Sequence, residues 1–366
     1  MPSKQKYTLL PSQPGNNVNF NEQLSKNFRQ RTRSQSAILL TSLLLAATVI
    51  GFLVGILCGY NGIFASTPTT TTKPAATSCR HPIVRHEWRS LSVDQKRGYI
   101  RAVNCLRETP SKLGLNQSLY DDFPYVHSRI GEYSHGAAAF LAWHRIFVQT
   151  YENALREQCQ YQGRMTYWDW TLDWNDIRKS PVWSTDDTGF GTDGNPEVGE
   201  EMLKGHCVVD GPFANLTVLY LDEKDRPHCL SRGFNSGEDL MRYGSMLRPS
   251  EVEGLLDDPE YKSFNLRLED SAHIAVPRSI RGDFSMLTAP YDPVFLLHHT
   301  QLDRLWWLWQ TANTSKRKWQ YEGLAAHNET NSSASLEDFL PLGGLAPDVR
   351  VSDIIDTQGN LLCYRY

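Results

Sequence analysis

Residues 120–147 read YDDFPYVHSRIGEYSHGAAAFLAWHRIF, and residues 291–310 read YDPVFLLHHTQLDRLWWLWQ. From Phe140 the buried-type positions 140, 144, 147, 148, 151, 154 and 155 recur at steps of three and four, which predicts an amphipathic helix with His144 on its inner face. In the second stretch Asp292-Pro293 is a good N-cap and first-turn pair. Phe295, His299, Leu302, Trp306 and Trp309 then share one face, so His299 points inward. His298 shares its face with Gln301 and Leu305 and reads as a neighbour of the site rather than a ligand.

Working outward, His127, His135 and His144 form one cluster, and His273, in LEDSAHIAVPRSIRGDF (268–284), joins the His298/His299 region to form another. Imidazoles drawn from several segments, without thiolate spacing, suit copper, zinc or iron. A single histidine on an apolar face is usually a satisfied core side chain. Here about half of the 11 histidines fall on or beside such faces, and burying them without partners costs stability that ligation restores. Arg145 follows His144, and Asp303 lies one turn after His299; such charges orient ligating imidazoles, though an ordinary ion pair at a helix surface is as common. No HExxH motif is present, so a zinc hydrolase or mononuclear enzyme using the first cluster alone is a weak reading.

The chain has 366 residues, 40% hydrophobic and 21% charged, a globular balance, and its net charge of -4 predicts no nucleic-acid role. Residues 1–36 are polar and read as a disordered cytosolic tail. Within residues 37–58, the uncharged run AILLTSLLLAATVIGFLVGIL is long enough to span a bilayer, and Arg29, Arg31 and Arg33 before it predict a single-pass signal anchor with the N-terminus in the cytosol. Residues 59–78 include the Thr/Pro-rich ASTPTTTTKPAATS and form a stalk. Residues 79–366 form one domain in the secretory lumen or outside the cell. All N-x-S/T sequons (Asn116, Asn215, Asn313, Asn328, Asn331) follow the span. So do Cys79, Cys105, Cys159, Cys207, Cys229 and Cys363, with Cys58 at the membrane edge; an even set in that compartment predicts disulfides, and a Cys79–Cys363 bond would tie the domain's ends.

The segments HGAAAFLAWHRIFVQTYENAL (135–155), GRMTYWDWTLD (163–173) and DPVFLLHHTQLDRLWWLWQ (292–310) strongly resemble the tyrosinase and polyphenol oxidase family, and the terminal CYRY resembles the motif that closes that family's core domain. The resemblance implies a mainly α fold, a four-helix bundle housing a binuclear copper site with long loops and few short strands. It implies two coppers, one held by His127, His135 and His144 and one by His273, His299 and a third histidine four residues after His273. That position is Pro277, so the second site is expected to be weak, to be completed by water, a carboxylate, His206 or His228, or to have decayed.

Other departures are Ile274 where phenol-hydroxylating members often carry asparagine, Tyr133 where many fungal members carry a cysteine cross-linked to the second histidine, and Arg281 in place of the first glycine of a GG pair. Glu269 matches the position of a water-orienting catalytic glutamate. Trp143, Trp168, Trp170, Trp306 and Trp307 are candidates for a phenol-stacking wall, with core packing the commoner role. GHCVVDGPFANLTV (205–218) and IRGDFS (280–285) are similar to the tyrosinase-like proteins of fungal secondary-metabolite pathways, including those that tailor tyrosine-containing peptides. The implied activity is copper-dependent oxidation of a phenolic small molecule or peptide by O2; the alternative is a copper-binding, catalytically impaired partner protein.

Overall fold

Ser92 and Ser118 each open a long helix through a capping box: each hydroxyl accepts from the backbone three residues on, and Gln95 or Asp121 answers with its side chain to the cap's own N–H. These helices are α1 (Val93–Leu106) and α2 (Leu119–Arg129) in a computed structural model that describes residues 79–214, 216–327 and 332–366. The expected tail (1–36), anchor (37–58) and stalk (59–78) lie outside the described residues, as do Asn215, Asn328 and Asn331. Among the described residues no helix is long and apolar enough to cross a membrane.

The predicted helix after Phe140 is α3 (Ala139–Gln158), buried along most of its length. Helices α4 (Gly237–Ser245), α5 (Pro249–Leu256) and α6 (Tyr261–Leu268) follow; a π-helical turn, Glu269–His273, then carries α6 into α7 (Ile274–Ile280). The second predicted helix is α8 (Val294–Ala312). Asp292 caps it, accepting from Val294 N at 3.1 Å while Arg232 grips the same carboxylate with two nitrogens at 2.7 and 2.9 Å. Strands are short, the longest pair being the hairpin of Thr217–Leu221 and Lys224–Cys229. The fold is mainly α with few short strands, as expected.

Helices α3 and α8 pack side by side and carry a buried charge cluster between them. Arg145 Nε donates to Asp303 Oδ1, Arg85 reaches Oδ2 at 3.4 Å, and the hydroxyls of Tyr364 and Tyr366 donate to the same oxygen. Burial opposes the Asp303 carboxylate, but the two arginines and the two tyrosine hydroxyls together hold its pKa below the usual range. The expectation that Arg145 and Asp303 orient the imidazoles, or else meet at a surface, is corrected: they pair with each other, almost fully buried. A side chain adjacent in sequence to an inward histidine points about 100° away from it on a helix.

The chain's two described ends meet at this cluster. Ile83–Val84 pairs in parallel with Tyr364–Arg365, and Cys79 bonds Cys363 as anticipated; Cys105–Cys159 and Cys207–Cys229 complete three disulfides.

Candidate metal centre

Five helical segments bring the histidines together. His127 is in the last turn of α2, His135 caps the short 3-10 turn Gly131–Ser134, and His144 is in the second turn of α3. His273 ends the π turn, and His298 and His299 lie in the second turn of α8. Two groups result, His127/His135/His144 and His273/His298/His299, each with nitrogen atoms within 4.8 Å of one another. The groups adjoin, because the rings of His144 and His299 stack with centroids 4.2 Å apart.

Hydrogen bonds fix which nitrogen is free on four of the rings. His127 Nδ1 meets the Leu287 carbonyl, His144 Nδ1 the Phe140 carbonyl at 2.8 Å, His273 Nδ1 the Glu269 carbonyl at 3.3 Å and His135 Nδ1 the Glu269 carboxylate at 3.1 Å. Each of these oxygens only accepts, so each ring carries its hydrogen on Nδ1 and keeps the Nε2 lone pair. Yet Nε2 of His127 and Nε2 of His144 lie 3.2 Å apart. Two bare lone pairs at that separation repel; a cation between them turns the repulsion into ligation. The donor set fits a metal ion.

Electrostatics agree with neutral rings. Burial, then the neighbouring His135, pushes the His127 imidazole down to about 3, and burial pushes His298 to about 3. His144, His273 and His299 are held well below the usual imidazole range, first by burial and then by adjacent imidazoles.

Residues 117–312 match the family model described as the common central domain of tyrosinase. The chain is also 44% identical over 360 residues to the tyrosinase-like protein phomQ1 of Diaporthe leptostromiformis, covering 93% of this chain and 91% of that one. It belongs to the tyrosinase family. Tyrosinase ustQ of Aspergillus flavus is 41% identical over 305 residues, covering 83% of this chain and 84% of that one. A mutant polyphenol oxidase from Thermothelomyces thermophila superposes with a TM-score of 0.68 at 30% identity, covering 78% of this chain and 88% of that one.

Within this tyrosinase-family site the candidate residues fall as follows. His298, read as a neighbour of the site, has a ring nitrogen within 4.8 Å of those of His273 and His299, because that part of α8 is buried all round. His206 and His228 join neither group; His228 Nε2 instead bonds Asp283 at 2.8 Å. The Glu269 carboxylate is committed to protein donors, His135 Nδ1 and Gly136 N, the latter at 2.9 and 3.0 Å. The tryptophan wall is absent among the described residues. Trp143, Trp168, Trp170 and Trp306 are core, Trp307 packs on Tyr366, and the cleft above the histidines, about 830 Å³, is walled by Phe284, Phe295, Ile274, Pro277 and Met286.

The carbonyls of Leu287 and Phe140 escaped sequence reasoning, since a backbone acceptor carries no residue signature. Arg281 does keep the backbone its family position implies. Its φ of 59° suits glycine, and its guanidinium holds the strained turn by donating to the Gly233 carbonyl. Gly282 beside it has no room for a Cβ, which would collide with the Ser231 carbonyl oxygen.

Proposed function

We propose that the domain is a binuclear copper oxidoreductase that uses O2 to oxidise a phenolic, tyrosine-like group on a small molecule or peptide. The observation that carries this reading is the 3.2 Å approach of two unprotonated Nε2 atoms, His127 and His144, each locked by a carbonyl behind it. His127, His135 and His144 would hold one copper, and His273 and His299 the other, with Pro277 standing where the family pattern puts a third histidine. Bound copper would supply the electron transfer that couples phenol oxidation to O2.

The chain's own residues do the rest. Phe295 packs on His299 and His127, with ring centroids 4.2 and 5.1 Å away, and with Phe284 it offers an apolar slot for an aromatic ring. Lys204, Arg242, Arg278 and Arg281 outnumber Asp222 and Asp239 around the cleft, which favours a phenol that also bears a carboxylate, as a peptide or amino acid does. We read α2, α3, α7 and α8 as the bundle around the pair. The apolar run 37–57, the arginines before it and the three disulfides support a type II membrane protein with this domain in the secretory lumen. Likeness to fungal tyrosinase-like proteins supports a place in secondary-metabolite tailoring.

The test is O2 uptake by the copper-loaded protein with a panel of phenols, with and without a carboxylate. Phenol-dependent uptake is expected. Copper binding without any uptake would favour the impaired-partner reading, to which Pro277 and Ile274 also point. A shift in mass on glycosidase treatment checks the lumenal orientation through Asn116, which is exposed.

A further inference from the structure

We propose that Trp170 holds His298 in a non-ligating form, so that His273 and His299 are the only histidine donors to the second metal and its remaining positions open into the cleft. The inference rests on the copper reading above and deepens it. Trp170 Nε1 donates to His298 Nδ1 at 3.2 Å, with both side chains fully buried. An indole nitrogen can only donate. His298 Nδ1 therefore carries the lone pair, and the neutral ring has its hydrogen on Nε2. This is the reverse of His127, His135, His144 and His273, whose Nδ1 atoms face acceptors.

Both ways of recruiting His298 fail on this geometry. Ligation through Nε2 needs the hydrogen on Nδ1, where it would meet the indole hydrogen. Ligation through Nδ1 needs the metal in the place of that hydrogen. Either leaves a buried indole N–H without an acceptor. Pro277 reinforces the arrangement. Besides offering no imidazole, it has no N–H to give the His273 carbonyl one turn back. The His298 ring lies nearly parallel to that of His273, with centroids 5.6 Å apart, so it supports that ring's orientation by packing. Convergence of three histidines thus does not make three ligands: one of them faces away chemically.

Copper content and ring tautomer, measured on the full chain, decide it. His298→Gln is expected to retain the copper equivalents of the parent, with second-site affinity changed by no more than about threefold, while His299→Ala loses one equivalent. Loss of that equivalent in His298→Gln, with folding intact by near-UV circular dichroism, would overturn the proposal. Nitrogen-15 histidine NMR of the metal-free chain gives an independent readout: the ring in through-space contact with the Trp170 indole hydrogen should report hydrogen on Nε2 in the parent, and hydrogen on Nδ1 would overturn the proposal even if His298→Gln misfolds. A parent that takes up no copper at all would refute the copper reading, and the tautomer result would still stand for or against the lock.

Discussion

Glu269 sits on the π turn that ends at His273, yet its carboxylate is spent on His135 and Gly136, in the other half of the site. His135 is the one first-cluster histidine held on a short turn rather than within a long helix, and here Tyr133 stands where relatives cross-link such a histidine to cysteine. The glutamate supplies the missing restraint by hydrogen bonding. Glu269→Ala is expected to weaken copper at the first site about 10- to 100-fold, measured by competition with a chelator, with Glu269→Gln in between. Acid acts on the same rings. The folded-state pKa values of His127, His144, His273, His298 and His299 lie below the usual 6.5, so the unfolded chain takes up protons first. Metal-free protein should hold its stability above about pH 6.5 and lose it progressively as pH falls toward about 3, read as a falling urea midpoint. His127, His135, His144, His273 and His299 were legible from spacing or family pattern, and His298 as a neighbour of the site. The full burial of His298 beside His273 and His299 was not legible, because a 3.6-residue period identifies one buried face and α8 is buried on all sides at that point.

Helices α3 and α8 each carry a histidine for a different half of the site, and their mutual position rests on the Arg145–Asp303 pair. Replacing one partner leaves the other charge buried and alone. Asp303→Asn, which leaves Arg145 without a carboxylate partner while Arg85 keeps Glu152 at 2.8 Å, is expected to cost about 3–5 kcal/mol in denaturant unfolding. A merely exposed pair would cost about 1 kcal/mol or less. The two helices themselves were readable, down to the Asp292 cap, since periodicity and capping are local. Which charged residue meets which across the interface was not, because the partner of Arg145 lies 158 positions away. The π turn was equally silent in sequence. It lets α6 run into α7 with both Glu269 and His273 directed at the centre, a use to which such turns are often put.

At the scale of the molecule, the ends of the domain are locked at the back of the α3–α8 pair by the Cys79–Cys363 bond and by Tyr364 and Tyr366 on Asp303. That bond closes a loop of sequence separation 284. Its removal, as Cys79→Ser with Cys363→Ser, should lower stability by about 2–5 kcal/mol without changing copper content. That the cysteines pair was legible from their even count, and one bond from the need to tie the domain's ends; the other two join residues whose proximity only the fold creates. We propose that each of the two adjoining histidine groups holds a copper. The most direct test is copper per full-length chain, by elemental analysis, in the parent and in His144→Ala and His299→Ala. Two equivalents in the parent, the second released more readily to chelator, and one in each variant is the predicted result. Copper that is absent from the parent, or unchanged in both variants, would refute a two-copper centre on these histidines.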